Sequence, residues 1–144
     1  MATASANATW TGSLKEGTGS VSAATGAFDL GYSFATRFED QEGSNPEELI
    51  AAAHAGCYAM ALAAGLGKAG FSPEKVEATA AVTLGKIDDK PRITQINLSC
   101  RAVVPDISEE EFQEQAKATK EGCPISAALA AVPEINLEAA LVSG

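Results

Sequence analysis

Hydrophobic and polar positions change period several times along this chain, and each change marks a predicted element. The first 40 residues read as β-structure. Thr9-Trp10-Thr11 and Ser20-Val21-Ser22 flank the turn-rich Lys15-Glu16-Gly17-Thr18-Gly19, which predicts a hairpin. A third strand is expected near Phe28–Phe34, followed by Thr36-Arg37-Phe38 and a polar loop, Glu39 to Ser44.

Asn45-Pro46-Glu47-Glu48 then announces a helix. Asn45 can cap, Pro46 suits the first helical position, and two carboxylates favour the positive end of the dipole. Leu49, Ile50, Ala53, Cys57, Met60 and Ala64 form one broad stripe, and the helix is expected to end at Gly65 to Gly70. So many small residues allow close approach of other backbones, which predicts a helix buried between layers.

From Val76 the period becomes two. Val76, Ala78, Ala80, Val82 and Leu84 face one way, and Glu77, Thr79 and Thr83 the other. Ile87-Asp88-Asp89-Lys90-Pro91 makes a turn into a strand whose inner face is Ile96, Leu98, Cys100, Ala102 and Val104. Ser108 with Glu111 fits a capping box opening an amphipathic helix to about Lys120. Cys123-Pro124 starts a short apolar helix with Ile125, Leu129 and Val132 in register, and Ile135, Leu137, Ala139 and Leu141 form a closing strand. The order βββ-α-ββ-α-α-β predicts an α+β fold with antiparallel strands and one buried helix, in a single domain spanning residues 1–144.

Composition narrows the function. With 19 Asp+Glu against 10 Lys+Arg, the chain lacks the basic footprint of nucleic-acid binding. The longest weakly polar run, Ala51 to Leu66, is mostly Ala and Gly and looks too short and too mild for a membrane span. Met1 to Ala8 shows no secretory pattern, so a reducing cytoplasm is the expected compartment. Three cysteines without a Cys-x-x-Cys pair make neither a disulfide framework nor a zinc ribbon.

Those cysteines are the candidate chemistry. Cys100, on the inner face of an alternating strand, reads as a small hydrophobe. Cys123, between Gly122 and Pro124, would cap a helix with its sulfur near unpaired N–H groups, a setting that favours a thiolate. Cys57 sits mid-helix, where the dipole has faded, and its local sequence favours packing. His54 shares its helical face, so His54, Cys57 and Cys123 could ligate a metal; a satisfied, half-buried histidine is the simpler reading. Locally, a redox pair, a metal site and ordinary packing all stay open.

The strings Thr36-Arg37-Phe38, Asn45-Pro46-Glu47-Glu48-Leu49-Ile50-Ala51-Ala52-Ala53-His54-Ala55-Gly56-Cys57 and Gly122-Cys123-Pro124-Ile125-Ser126 change that balance. Together with Trp10-Thr11-Gly12-Ser13, Gly17 to Ser22 and the element order, they resemble the OsmC/Ohr family of thiol-dependent hydroperoxide reductases along essentially the whole chain, most closely the osmotically inducible branch. The resemblance implies an OsmC-like fold, with antiparallel sheets around a long buried central helix, in an intertwined homodimer. It implies a cofactor-free peroxidase in which Cys57 is the peroxidatic thiolate and Cys123 the resolving thiol. Arg37 would lower the Cys57 pKa and polarise the peroxide, and Glu47 would orient the guanidinium. An organic hydroperoxide would be reduced to an alcohol through a Cys57 sulfenic acid and a Cys57–Cys123 disulfide, which a dithiol (lipoyl or small) would reopen, in oxidative or osmotic stress protection. Neither nucleic acid nor a membrane would be a partner.

Helix geometry constrains this scheme. Glu47 and Cys57 lie ten residues apart, hence about 15 Å along a continuous helix. Either the helix breaks near Gly56, or Glu47 and Arg37 come from a second subunit, which is what the family's intertwined dimer implies. Phe38, Tyr58, Met60 and Phe71 are available to line an apolar entrance. A metal-binding module on His54, Cys57 and Cys123, or a purely structural dimer, are the competing readings.

Overall fold

A computed structural model describes residues 2–144; Met1, the first residue of the N-terminal stretch weighed above, lies outside the described residues. The chain divides into two compact units, Met1–Leu49 and Ile50–Gly144.

The first unit carries a three-stranded antiparallel sheet in the order β1 (Ala6–Thr11), β2 (Thr18–Ala23), β3 (Asp29–Tyr32). Trp10 and Tyr32 meet over Gly19, the residue that pairs with both, with ring centroids 5.4 Å apart. A Cβ there would fall 2.6 Å from each ring, so the aromatic contact requires glycine. The third strand stops at Tyr32, earlier than its hydrophobic pattern suggested. Ser33 and Thr36 form a reciprocal capping box that turns the chain into a short helix, α1 (Phe34–Phe38), where sequence reading saw strand and loop.

Helix α2 (Pro46–Lys68) begins as its sequence predicts: Asn45 Oδ1 accepts from the Glu48 N–H at 2.8 Å, and Pro46 and the two carboxylates fill the first turn. It runs without a break through Gly56. It ends in a Schellman arrangement, with Gly70 at φ +94° and the Phe71 N–H donating to the Leu66 carbonyl.

The buried ridge of α2 differs from the expected stripe. His54, Tyr58, Leu62 and Leu66 point inward at four-residue spacing, whereas Ala53, Met60 and Ala64 are exposed, Met60 by 78%. Counting apolar letters misled because the outward face consists of small residues that carry little area, while the inward ridge includes a histidine that counts as polar. The membrane argument also needs correcting. Over its 23 residues α2 is long and apolar enough to cross a bilayer, with an 18-residue mean hydropathy of 1.6. Its Tyr58–Leu62–Leu66 ridge packs into the protein core, as a core helix does.

The second unit adds the sheet β4 (Lys75–Ile87), β5 (Lys90–Val103) and β6 (Glu134–Leu141), in that order. Asp88 and Asp89, both at positive φ (50° and 64°), close the β4–β5 hairpin. Ile96, Leu98, Cys100, Ala102 and Val104 face inward as the alternation predicts. The expectation of antiparallel strands throughout fails at β6, which runs parallel to β5. The connection between them contains two helices, α3 (Glu109–Gly122) and α4 (Pro124–Ala128), and a crossover of that length returns the chain in the same direction. Ser108 caps α3 by accepting from the Glu111 N–H at 3.1 Å, the forward bond of the expected box. α4 is shorter than expected, yet Leu129 and Val132 beyond its end still pack on the core.

Leu62 and Met60 separate the two faces of α2. Leu62→Ala should lower unfolding stability by about 2–5 kcal/mol in urea titration, because its side chain is completely buried between α2, β5 and α3.

Candidate active site

In the first unit, α1 and the first turn of α2 hold an ion pair. Arg37 Nη2 donates to Glu47 Oε1 at 2.7 Å, and Nε bridges both carboxylate oxygens at 3.1 and 3.2 Å. Glu47 is buried at the second position of α2, where the helix dipole favours its negative charge. Asn45 ties the two helices by donating from Nδ2 to the Thr36 carbonyl while capping α2. The guanidinium is thus held by its fork and remains partly open to solvent. Beside it, Trp10, Leu14, Tyr32, Ser33, Phe34 and Phe38 line a groove of about 150 Å³. Of the residues expected at an apolar entrance, Phe38 lies in this groove; Tyr58 and Phe71 belong to the core instead.

In the second unit, Cys57 lies against Cys123 and the backbone N–H of Ile125. All three cysteines are free. Cys123 is both the last cap of α3 and the first of α4: its own N–H donates to the Thr119 carbonyl, and its sulfur accepts from the Ser126 N–H at 3.3 Å. The expected capping geometry is therefore present. Cys57 is half-buried and Cys123 almost fully buried.

Within the chain, the Cys57 thiol is held above its ordinary pKa. Desolvation is the largest cause, the Cys123 thiol adds to it, and the Ile125 N–H acts in the opposite direction. These surroundings favour the neutral Cys57 thiol. Cys100 is pushed up to about 11 by burial, in keeping with the structural role read from its strand position.

His54 is completely buried, not half-buried as expected, and its Nε2 meets Ser126 Oγ at 2.7 Å. Among the described residues no group of three His, Cys, Asp or Glu side chains could hold a metal ion, which removes the proposed His54–Cys57–Cys123 metal set. Sequence reading missed Ser126. Its signal was present, since a capping residue is satisfied by the group three positions on and Cys123-Pro124-Ile125-Ser126 has that spacing. It also missed Trp10, Leu14, Tyr32 and Phe34 beside Arg37, which only the folding of the first sheet onto α1 gathers.

The family model described as OsmC-like protein matches residues 39–138. Peroxiredoxin OsmC of Escherichia coli (strain K12) is 45% identical over 135 residues, covering 93% of this chain and 93% of that protein. An OsmC-like protein of unknown function from Vibrio cholerae superposes with a TM-score of 0.76 at 19% identity, over 96% of this chain and 99% of that one. An OsmC-like protein from Mycoplasma pneumoniae gives 0.75 at 18% identity, over 98% of both chains. The fold is that of OsmC and Ohr proteins, and the chain belongs to the OsmC-like family. At the identity it shares with Peroxiredoxin OsmC it is an enzyme of the peroxidase class.

The Cys100 environment predicts slow labelling. At pH 8 a thiol of pKa about 11 is ionised to only ~0.1%. Alkylation of Cys100 in the folded protein should run about a hundredfold or more below its rate in concentrated urea, measured by peptide mass spectrometry; equal rates would contradict its burial.

Proposed function

We propose that this chain reduces organic hydroperoxides to alcohols, with Cys57 as the peroxidatic thiolate and Cys123 as the resolving thiol. The contact between Cys57 and Cys123, in a chain 45% identical to a peroxiredoxin, carries this reading. The Cys57 thiolate attacks the distal peroxide oxygen, the O–O bond breaks, the alkoxide leaves as alcohol, and Cys57 becomes a sulfenic acid. Cys123 condenses with it, forming a disulfide and releasing water. A dithiol, lipoyl or small, restores both thiols. The difference in burial supports attack of the dithiol at Cys57, with Cys123, 1% exposed, as the leaving group.

The thiolate needs a cation that the Cys57 surroundings lack. Arg37, oriented by Glu47 and open on one side, is suited to stabilise both the sulfur anion and the developing alkoxide. With α2 unbroken at Gly56, one of the two arrangements allowed by the sequence is removed. We assign the remaining one: Arg37 and Glu47 of one subunit serve Cys57 of the other in a homodimer. The exposed Met60, with Ala53, Gly56 and Ala64 on the same outward face of α2, offers an apolar surface for a second chain. The groove of aromatic side chains beside Arg37 would then receive the organic part of the peroxide, so alkyl hydroperoxides should be preferred over hydrogen peroxide. Residues 1–144 act in this scheme as one domain in the cytoplasm, in protection against oxidative or osmotic stress, without a cofactor.

One equivalent of an organic hydroperoxide should remove two hydrogens from the intact mass and join Cys57 to Cys123 in the peptide map. Cys57→Ser should abolish turnover while Cys100→Ser retains it; turnover surviving in Cys57→Ser would reject the assignment. A heterodimer of a Cys57→Ser chain with an Arg37→Ala chain should keep one competent site, about half the wild-type rate if the two sites act independently. An inactive heterodimer of two intact folds would place the sites within single chains.

A further inference from the structure

His54 is the only histidine in the sequence, and the chemistry above leaves it unused. It is completely buried. Its Nε2 lies 2.7 Å from Ser126 Oγ, that oxygen lies 3.1 Å from Cys123 Sγ, and the serine N–H donates to the same sulfur at 3.3 Å. Imidazole, hydroxyl and thiol therefore form a continuous buried line across α2 and α4, ending on the sulfur read above as resolving. The other ring nitrogen, Nδ1, has no partner among the described residues.

A histidine kept only for packing is a poor choice here. One ring nitrogen forgoes its hydrogen bond, and an apolar side chain would fill the volume without that loss. Imidazole adds something an apolar side chain cannot: a site that exchanges a proton near neutral pH.

We propose that His54, acting through Ser126, accepts and returns the proton of Cys123 as the Cys57–Cys123 disulfide closes and opens. The inference rests on the assignment of those two cysteines given above. In the reduced state the Cys123 S–H donates to Ser126 Oγ, and the Ser126 O–H donates to Nε2. As Cys123 attacks the Cys57 sulfenic acid, its proton passes to Oγ while the serine's own passes to Nε2. The S–S bond forms, the S–O bond breaks, and its electron pair leaves with hydroxide. The imidazolium then releases a proton, balancing the one hydroxide takes to become water. The Cys57 sulfur is reduced and the Cys123 sulfur oxidised, so the step requires no further reactant. When a dithiol attacks Cys57, Cys123 departs as a thiolate held by both Ser126 donors, and the next proton bound by the imidazole is handed to it.

The surroundings suit such a relay. Burial keeps the imidazole below its usual range, so at neutral pH it is uncharged and able to accept. The titratable side chains within a turn of it on α2, Cys57 and Tyr58, are held above their ordinary values, as is Cys100, which acts on Tyr58 from β5, so none competes for the proton near neutrality. The last charges of α3, Lys120 and Glu121, are at least partly exposed.

Ser126→Ala removes the middle link, and His54→Gln retains an amide partner for Ser126 that cannot take up a proton. Disulfide closure, timed by rapid quench from the moment Cys57 is oxidised, should slow about a hundredfold at pH 7 in both variants. Their rates should climb with pH as hydroxide takes over removal of the proton, while the wild-type rate falls only below the His54 titration. Wild-type rates and profiles in both variants overturn the proposal. Should either variant misfold, the untagged wild-type protein decides: nitrogen NMR of its single imidazole should show different titration midpoints in the reduced and disulfide forms. Identical tautomers and midpoints overturn it equally. If peroxide fails to make the disulfide, the peroxidase reading fails by itself, and the relay is read on the disulfide made with diamide and reopened with dithiothreitol. No disulfide under diamide removes both.

Discussion

The approach of Cys57 to Cys123 is the contact on which the proposed chemistry depends, and it is made by elements far apart in sequence. Cys57 is carried by α2, whose Tyr58, Leu62 and Leu66 lock that helix onto the inner face of β5 and onto Phe112 of α3. Cys123 is carried by the junction of α3 and α4, a single residue that ends one helix and caps the next. Because Tyr58 also donates to the Ala116 carbonyl of α3 at 3.0 Å, the helix bearing one sulfur is tied to the helix leading to the other. Close packing at such a junction leaves the two side chains little play.

Closeness alone makes the pair inert. Desolvation, with the neighbouring Cys123 thiol adding to it, raises the ionisation cost of Cys57. The chemistry proposed above therefore requires charge from elsewhere, and the Arg37–Glu47 fork is the cation proposed for it. The guanidinium is fixed by three hydrogen bonds, and the carboxylate that fixes it is itself stabilised at the start of a helix. A freely rotating arginine would lose entropy on being ordered by any anion it binds; this one is already ordered by the fold.

Most of the architecture was legible because it rests on local rules. Alternation from Val76 to Val104 gave two strands and their buried faces, and Asn45-Pro46-Glu47-Glu48 gave the start of α2 to the residue. The failures share a different origin. The parallel direction of β6 depends on where a two-helix crossover delivers the chain, which no window of sequence contains. The short helix at Phe34–Phe38 was hidden by its aromatic residues, which suit a strand equally well, while the Ser33–Thr36 box that decides the matter is only two hydroxyls. At the site, Cys57 and Cys123 were singled out through motifs, whereas local chemistry favoured Cys123, because a mid-helix thiol reveals nothing of its partners until the fold brings them.

The inward ridge of α2 shows how one helix can meet two demands at once. Its buried positions are large where they face the core shared with β5 and α3, and His54 on the same ridge is the one bonded to α4. Between its charged ends, Glu48 and Lys68, its exposed positions are Ala and Gly apart from Met60, so this face gains little from solvent. An amphipathic surface helix would be more stable in a lone chain, since polar groups would replace exposed methyl and thioether groups. A helix apolar all round is instead suited to lie inside something. The same composition that makes α2 long and apolar enough for a membrane also makes it suitable as the shared centre of an assembly. Between these alternatives, the buried histidine, hydrogen-bonded to a serine on the opposing helix, favours a helix whose environment is protein.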